Sequence, residues 1–579
     1  MKSIRFSRSP LLSQPLPVWR RRVVLFVMLG GFVVLTGRAF YLQGINNEFL
    51  GDKGRARFER VLDISATRGH ITDRHGDLLA VSTPVRSIWA FPEDVELKPR
   101  EARNLAALLG MDVRELNRKL ASDRDFIYLK RQLPPDVANK VMALDLAGIH
   151  QKTEYRRYYP SGEVMAHMVG FTGVDESGQE GVELAFNDKL TGKSGSRRVI
   201  KDRRGNVVED VGSIHPPTEG QDVALALDAK IQYLAYTHLK QALETHRAKA
   251  GGVVVLDVQT GEVLALVNLP TYNPNNRVRL IGAQLRNRAL TDSFEPGSTL
   301  KPFTIGLALE KGKVTADTPI QTAPGKLHIG PATISDSHAH GILTVAQVIQ
   351  KSSNVGSAKI ALSMTPDDMH TVFETAGFGV PLKLGFPGEV GGHLRPAKSW
   401  RPIEQATMSY GHGISVTLIQ LARSYMAFAR DGDLPALSLM KQETPPVPSR
   451  RLFSEKTAQT VRAMLETVVQ PGGTAPLAHI PGYRVAGKTG TAHKVENGRY
   501  ANKYVASFVG FAPVSKPRLV IAVMVDEPSN GKYYGGEVAA PVFAQVMAGS
   551  LRTLGVASDA PLAPLAPLPT DSESAREEM

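Results

Sequence analysis

Residues 23–37 read VVLFVMLGGFVVLTG and carry no charge, and the run extends to Gln43 with one charge, Arg38, near its end. At 1.5 Å per helical residue such a segment covers roughly 30 Å, the thickness of a bilayer core. A soluble fold has no place for it beside the triplet Arg20–Arg22. Lys2, Arg5, Arg8 and Arg20–Arg22 precede the run with no acidic residue among them. Basic residues before an apolar helix predict a cytoplasmic N-terminus and an exported bulk. Arg38 stands where a signal-peptide cleavage site wants small residues, so the segment reads as a retained anchor. Part of the net charge of +13 belongs to this flank, which removes much of the case for nucleic acid. Aromatic residues are also not interleaved with the basic runs as a nucleic-acid surface requires.

The remaining chain is too long for one ordinary core. With 42% hydrophobic and 22% charged residues it is globular, and with no cysteine it excludes thiol nucleophiles, disulfides and cysteine-ligated zinc. Residues 44–220 mix short strands and helices. RGHITDRHGDLLA (68–80) predicts two strands about a turn at His75-Gly76, residues 101–121 have helical spacing, and polar strands near 208 flank a Gly205-Asn206 turn. The turn-rich GSIHPPTEGQ (212–221) marks a boundary. Beyond it, 251–270 reads as a hairpin, 298–311, 344–363 and 417–430 as helices, and VAGKTGTAHKV, YVASFVGFAP and RLVIAVMVDEP as three late strands. That order predicts an antiparallel sheet with helices packed on it. Residues 556–579, Pro/Ala-rich and then polar, predict a flexible tail.

GYRVAGKTGT (482–491) satisfies the nucleotide P-loop pattern. A P-loop needs a helix after the glycine-rich turn, and TAHKVENGRY predicts strand and turn instead. Lys488-Thr489-Gly490 therefore reads as part of a sheet-edge strand that pairs with an extended peptide. Ser298-Thr299-Leu300-Lys301 opens a predicted helix, which brings Lys301 within reach of the Ser298 hydroxyl. The same S-x-x-K spacing recurs at Ser438/Lys441 and Ser529/Lys532 without a helix start. Ser352-Ser353-Asn354 fits S-x-N, 54 residues after Ser298 and 136 before Lys488. The ordered set is far more specific than any member. His338 and His340 lack a third ligand at metal spacing, and His412, between glycines, reads as a loop residue.

With these motifs, and with RGHITDRHGDLLAVSTPV (68–85), RRYYPSGEVMAHMVGFTG (156–173), QKSSNVGSAKIAL (350–362) and GKYYGGEVAAPVF (531–543) in order, the sequence resembles the class B penicillin-binding proteins of the cell-division type, the septal peptidoglycan D,D-transpeptidases. The resemblance implies a mixed α/β fold of the α+β type. It consists of a serine transpeptidase/β-lactamase-like domain (221–555) with a five-stranded antiparallel sheet, an elongated pedestal or dimerisation-type domain (44–220), an anchor (23–43) and a cytoplasmic tail (1–22). It implies Ser298 as nucleophile, Lys301 as its proton acceptor and Ser352 as a relay hydroxyl. Asn354 would hold the substrate peptide, and Lys488, Thr489, Gly490 and Thr491 its carboxylate strand. The backbone N–H groups of Ser298 and Thr491 would form the oxyanion hole, and Tyr533 and Tyr534 an aromatic wall. For Lys301 to act as a base its pKa must fall from about 10.4 to near 7, about 4 kcal/mol, by burial and by a second cation. No cofactor and no metal are implied. The implied partners are peptidoglycan stem peptides, β-lactams, the inner membrane, a division glycosyltransferase and other division membrane proteins. An elongation-type relative, a hydrolase and a non-catalytic division scaffold are the alternatives.

Overall fold

The computed structural model describes residues 17–45, 59–124, 126–201, 207–444, 448–496 and 498–561. The Gly205-Asn206 turn, residues 1–16 of the expected cytoplasmic tail and residues 562–579 of the expected flexible tail lie outside them. Helix α1 (Val18–Phe40) runs into a wider π turn at Tyr41–Ile45. It starts five residues before the expected anchor, because nothing after Pro17 interrupts helical geometry and Arg20–Arg22 are good helix formers. Residues Val18–Gly44 have a mean hydropathy of 2.1 in their most apolar window and bury none of it against protein. This is the one span among the described residues long and apolar enough to cross a membrane.

In the N-terminal domain the long strand Leu78–Ala90 pairs antiparallel with Ile149–Tyr158 and, near its end, with Ile127–Leu133. Helices Pro99–Leu109 and Val113–Leu120 cover a small core with Ile88, Leu129 and Val141. The expected single helix over 101–121 breaks at Gly110, whose φ of 62° ends the first helix in the left-handed region. A buried ionic triad fixes the base of this domain. Arg68 Nε and Arg157 Nε each lie 2.6 Å from a different oxygen of Glu183, and all three side chains are at most 2% exposed. Arg157 also donates to Gly69 O at 2.7 Å, so the triad joins three segments far apart in sequence.

The two domains interlock through the turn at 73–77. Val223-Ala224 runs parallel to Ile71-Thr72, two residues beyond the expected boundary. Asp73 accepts from Ala229 N at 3.2 Å, His75 meets Asp228 at 3.0 Å and Arg74 meets Glu262 at 3.2 Å. Asp228 in turn caps α2 (Ala229–His246). The turn therefore sits on the start of the first helix of the C-terminal domain.

That domain is built on strands β1 (Ala250–Asp257) and β2 (Val263–Leu269), helices α3 (Lys301–Glu310), α4 (Asn354–Ala361) and α5 (Leu418–Ala429), strands β3 (Ala486–Glu496), β4 (Arg499–Ala512) and β5 (Leu519–Asp526), and helix α6 (Ala540–Thr553). The sheet order is β2-β1-β5-β4-β3, antiparallel throughout, with β3 at an edge. A side chain added at Gly251 would strike Leu239 and Leu243 of α2, and one at Gly252 would strike Leu418 of α5. Successive strand residues face opposite sides, so α2 covers one face and α5 the other. Both faces being covered, every residue of β1 and β2 is buried and the strands read as near-continuous apolar runs, with Asp257 and Asn268 as buried polar exceptions. The chain after α6 differs from the expected free tail. Val556 O accepts from the Tyr483 hydroxyl, and Asp559 accepts from Arg484 N and Ser515 N. The Asp559 carboxylate takes two backbone donors that composition alone does not reveal.

Glu183→Gln should lower the urea midpoint of the purified protein, with a loss of about 3–5 kcal/mol, because two buried guanidinium groups lose their anion. A change under 1 kcal/mol would show that the triad does not hold this base together.

Candidate active site

Gly297–Leu300 forms a tight 3₁₀ turn that feeds α3. This turn holds Ser298 one helical turn before Lys301, with Lys301 Nζ 2.8 Å from Ser298 Oγ. Lys301 is completely buried. Its other contacts are Ser352 O at 2.6 Å, Asn354 Oδ1 at 2.8 Å and Ser352 Oγ at 3.1 Å.

The expected helix over 344–363 breaks between Val345–Lys351 and α4, and the break builds half of the site. Ser352 lies in the left-handed region at φ 61°, which is uncommon for a residue other than glycine. Ser353 caps α4 by accepting from Gly356 N at 2.9 Å. In an unbroken helix that N–H would bond to Ser352 O. The cap takes it, and the Ser352 carbonyl is left to Lys301. Asp336 secures the break: it accepts from Ser353 Oγ at 2.6 Å, Asn354 N at 2.5 Å and Val355 N at 3.0 Å. Asn354 Nδ2 donates to Ser335 O at 3.0 Å, which orients the amide oxygen toward Lys301.

Lys488 comes from β3, opposite Val509, and is also fully buried. Its Nζ lies 2.9 Å from Ser352 Oγ, so that hydroxyl bridges the two lysines. Thr489 Oγ1 contacts Thr474 Oγ1 at 3.0 Å, and Thr491 Oγ1 accepts from Gly535 N at 3.1 Å. Gly490 permits the close approach of the turn that carries Ser298, since a Cβ there would sit 2.8 Å from Pro296 O and 2.3 Å from Ser507 Oγ. Tyr533 stacks on Tyr504 at 4.2 Å, and Tyr534 is half exposed. Both stand one layer out, joined to Thr491 through Gly535.

The two ammonium groups cannot both stay charged at low cost in this enclosure. Burial, and then the positive charge of Lys488, push Lys301 well below the ordinary lysine value, against a smaller pull from Asp336. Burial lowers Lys488 to about 7. A neutral Lys301 has two N–H bonds and one lone pair. The Ser352 carbonyl and the Asn354 amide oxygen only accept, so they take both N–H bonds. The lone pair then faces the Ser298 hydroxyl. The arrangement sets up proton removal from Ser298.

The structure thus gathers Ser298, Lys301, Ser352, Asn354 and Lys488 around one hydroxyl, with Thr489, Gly490 and Thr491 along the adjoining strand. The other S-x-x-K matches do not pair: Ser438 Oγ donates to Met440 O and Ser529 Oγ to Arg247 O. Among the described residues no group of three or more His, Asp or Glu is placed to hold a metal. His412 packs on Tyr410 and Tyr500, and burial depresses it to about 4. Sequence reasoning missed Asp336 and Tyr410, whose ring lies 5.8 Å from Lys301 Nζ. Neither lies at the spacing of the three catalytic motifs, and Tyr410 stands only at the start of the stretch YGHGIS.

Residues 251–548 match the family described as the penicillin-binding protein transpeptidase domain, and residues 63–225 match the penicillin-binding protein dimerisation domain. A probable peptidoglycan D,D-transpeptidase PenA of Neisseria gonorrhoeae is 45% identical over 93% of each chain. The peptidoglycan D,D-transpeptidase FtsI of Escherichia coli K12 is 43% identical over 94% of this chain and 93% of that one. The apo transpeptidase domain of penicillin-binding protein 3 from Burkholderia pseudomallei is 50% identical, with a TM-score of 0.54, and covers 58% of this chain and 98% of that one.

Reaction of Ser298 with an acylating ester or lactam should depend on pH in two limbs, measured as kcat/KM by stopped flow. The rate should fall on the acid side as Lys301 gains a proton and loses its lone pair. It should fall again above about pH 7 as Lys488 loses its charge. In Lys488→Arg the alkaline limb should disappear while the acid limb stays.

Proposed function

The chain belongs to the class B penicillin-binding proteins, and from that premise we propose that it is a peptidoglycan D,D-transpeptidase in which Ser298 is the acylated nucleophile. Ser298 Oγ attacks the penultimate D-Ala carbonyl of a stem peptide while Lys301 takes its proton. The N–H groups of Ser298 and Thr491 hold the oxyanion; one such donor contributes about 10²–10³ in rate. As the tetrahedral intermediate collapses, the C–N bond breaks. The Ser352 hydroxyl hands a proton to the leaving D-Ala and recovers one from Lys301. The amine of a second stem peptide then attacks the ester, a new amide forms, and Ser298 regains its proton. Lys488, Thr489 and Thr491 hold the C-terminal carboxylate of the donor. This is also where the carboxylate of a β-lactam would sit.

The observation that carries this reading is the 2.8 Å contact between Lys301 Nζ and Ser298 Oγ, with both N–H bonds of the neutral amine committed elsewhere. The open edge of β3 supports an extended peptide as substrate, since a free strand edge pairs with a strand. Long-range similarity to FtsI supports a role at the division septum over an elongation role. Basic residues ahead of α1 support an inner-membrane anchor with a cytoplasmic N-terminus. The partners in that setting are a division glycosyltransferase and other division membrane proteins. We read the layout as 1–22, 23–43, 44–220, 221–555 and 556–579, with the pedestal between anchor and enzyme, a reading supported by the family matches at 63–225 and 251–548.

A fluorescent penicillin should label Ser298 in the wild-type protein, and Ser298→Ala should abolish the label with the fold retained by circular dichroism. Labelling that persists in the variant would sink the assignment. With a thioester donor and a D-amino acid acceptor, exchanged product is expected; hydrolysis alone would favour the carboxypeptidase reading.

A further inference from the structure

A cavity of about 510 Å³ lies where the two domains meet, and the proposed reaction leaves it unused. The N-terminal domain lines it with Glu163, and the chain after β2 with Tyr272, Asn273, Asn276, Arg279 and Gln284. Three contacts across the junction fix its frame. Thr271 Oγ1 donates to Glu163 O at 3.0 Å, the Tyr272 hydroxyl donates to Ala166 O at 2.9 Å, and His167 Nε2 lies 2.7 Å from Gln284 O. Local backbone groups engage the amide oxygens: Asn273 accepts from Asn275 N at 2.9 Å, Gln284 from Ile281 N at 3.1 Å and Asn276 from Val278 N at 3.5 Å. Each amide is thereby oriented, and its NH2 group is the end left for a ligand. Among the described residues these NH2 groups have no partner, and the Arg279 guanidinium has neither an ion pair nor a hydrogen bond. The Glu163 carboxylate accepts only from the Tyr236 hydroxyl, at 3.3 Å. The cavity therefore offers a surplus of donors, one carboxylate acceptor and the apolar ring of Tyr272.

A ligand that matches this lining carries several closely spaced oxygens, at least one N–H or O–H, and an apolar face. An acetamido sugar has all three: a carbonyl and ring hydroxyls for the amide and guanidinium donors, an amide N–H for Glu163, and C–H bonds for the Tyr272 ring. An extended peptide has amides as well, but it is bound by pairing with a strand edge, and residues 270–285 contain no strand. The cavity is also remote from the acylation site. It follows β2, at the edge of the sheet opposite β3, four inter-strand spacings or about 19 Å away. We propose that this cavity binds an N-acetylated sugar of a peptidoglycan glycan strand, held by Asn273, Asn276, Arg279 and Gln284 as donors and by Glu163 as acceptor. The proposal rests on the transpeptidase reading for the identity of the polymer. It gives the junction between the domains a role in holding the glycan while the peptide reacts elsewhere.

The double variant Asn273→Asp, Gln284→Glu tests it, because each carboxylate keeps the acceptor for its backbone N–H while losing the NH2 donor. The probes are triacetylchitotriose, a neutral acetamido oligosaccharide, maltotriose, which lacks the acetamido group, and inorganic phosphate. Each is titrated by ligand-observed NMR into the full-length protein in a sugar-free detergent. Triacetylchitotriose should bind wild type saturably, with Kd about millimolar or tighter, and the double variant should weaken it at least about tenfold. Maltotriose should bind wild type at least about tenfold more weakly than triacetylchitotriose. The rate of Ser298 acylation by benzylpenicillin should be unchanged in the variant, which also reports that the fold is retained. Absence of saturable binding, equal binding of maltotriose, or an affinity unmoved by the two substitutions would overturn the proposal. Displacement of the sugar by phosphate would overturn it too, by reducing the cavity to an anion site at Arg279. Failure of benzylpenicillin to label wild-type Ser298 would sink the transpeptidase reading, a result separate from the sugar titration that decides the site.

Discussion

Two lysine side chains, Lys301 and Lys488, are fully buried within reach of one serine hydroxyl, and the site exists only because the fold tolerates this. Two ammonium ions in that volume would repel each other without bulk water to screen them. Burial resolves the conflict unequally. Burial lowers both, to about 7 for Lys488, and the charge of Lys488 pushes Lys301 down further. Each residue then has a distinct chemical property, one a base and the other a cation. The burial that makes the pair costly, with their repulsion added, is also what makes Lys301 easier to deprotonate. Tight packing keeps it so: Gly490 lets the Pro296–Ser298 turn close against β3, and any side chain there would hold the two halves apart.

The broken helix at Ser352 supplies the other requirement, a direction for the lone pair. A buried amine surrounded by hydroxyls would have several equivalent arrangements. Here the Ser352 carbonyl is released from helical bonding by the Ser353 cap, and the Asn354 amide is turned by Ser335 O. Both are obligate acceptors, so the proton arrangement on Lys301 follows from the backbone. Asp336 holds the break with three hydrogen bonds and adds a modest pull on the charge of Lys301. The positive φ of Ser352, a conformation that costs of order 1–3 kcal/mol, is offset by this set of contacts.

Sequence patterning reveals local order and misses the contacts that cross it. The β1–β2 hairpin and the strands β4 and β5 are legible because both faces of the sheet are covered, which leaves apolar runs punctuated by turns. Ser298 and Lys301 are legible because i and i+3 share a helix face, and Ser352, Asn354 and Lys488 because their order matches a family. The break at Ser352 is not legible: the residues on either side have helical spacing, and the cap that frees its carbonyl depends on Asp336, sixteen positions upstream on another loop. Gly110 divides a helix for a similar local reason. The ordering of 556–560 is hidden because Asp559 finds its donors at Arg484 and Ser515, 75 and 44 residues away.

The junction between the domains obeys the same logic as the active site, with polar groups used where a backbone has no partner of its own. Helix α2 begins with N–H groups that its own turns cannot satisfy. Asp228 takes those of Lys230 and Ile231, and Asp73, from the other domain, takes that of Ala229. His75 then binds Asp228, and Arg74 reaches Glu262 at the start of β2. Displacing the turn at 73–77 would uncap α2, and α2 packs along β1 and β2, at the end of the sheet opposite β3. The N-terminal domain is therefore a structural part of the C-terminal one. A rotation of one domain on the other has to break backbone hydrogen bonds, whereas sliding across an apolar interface would not.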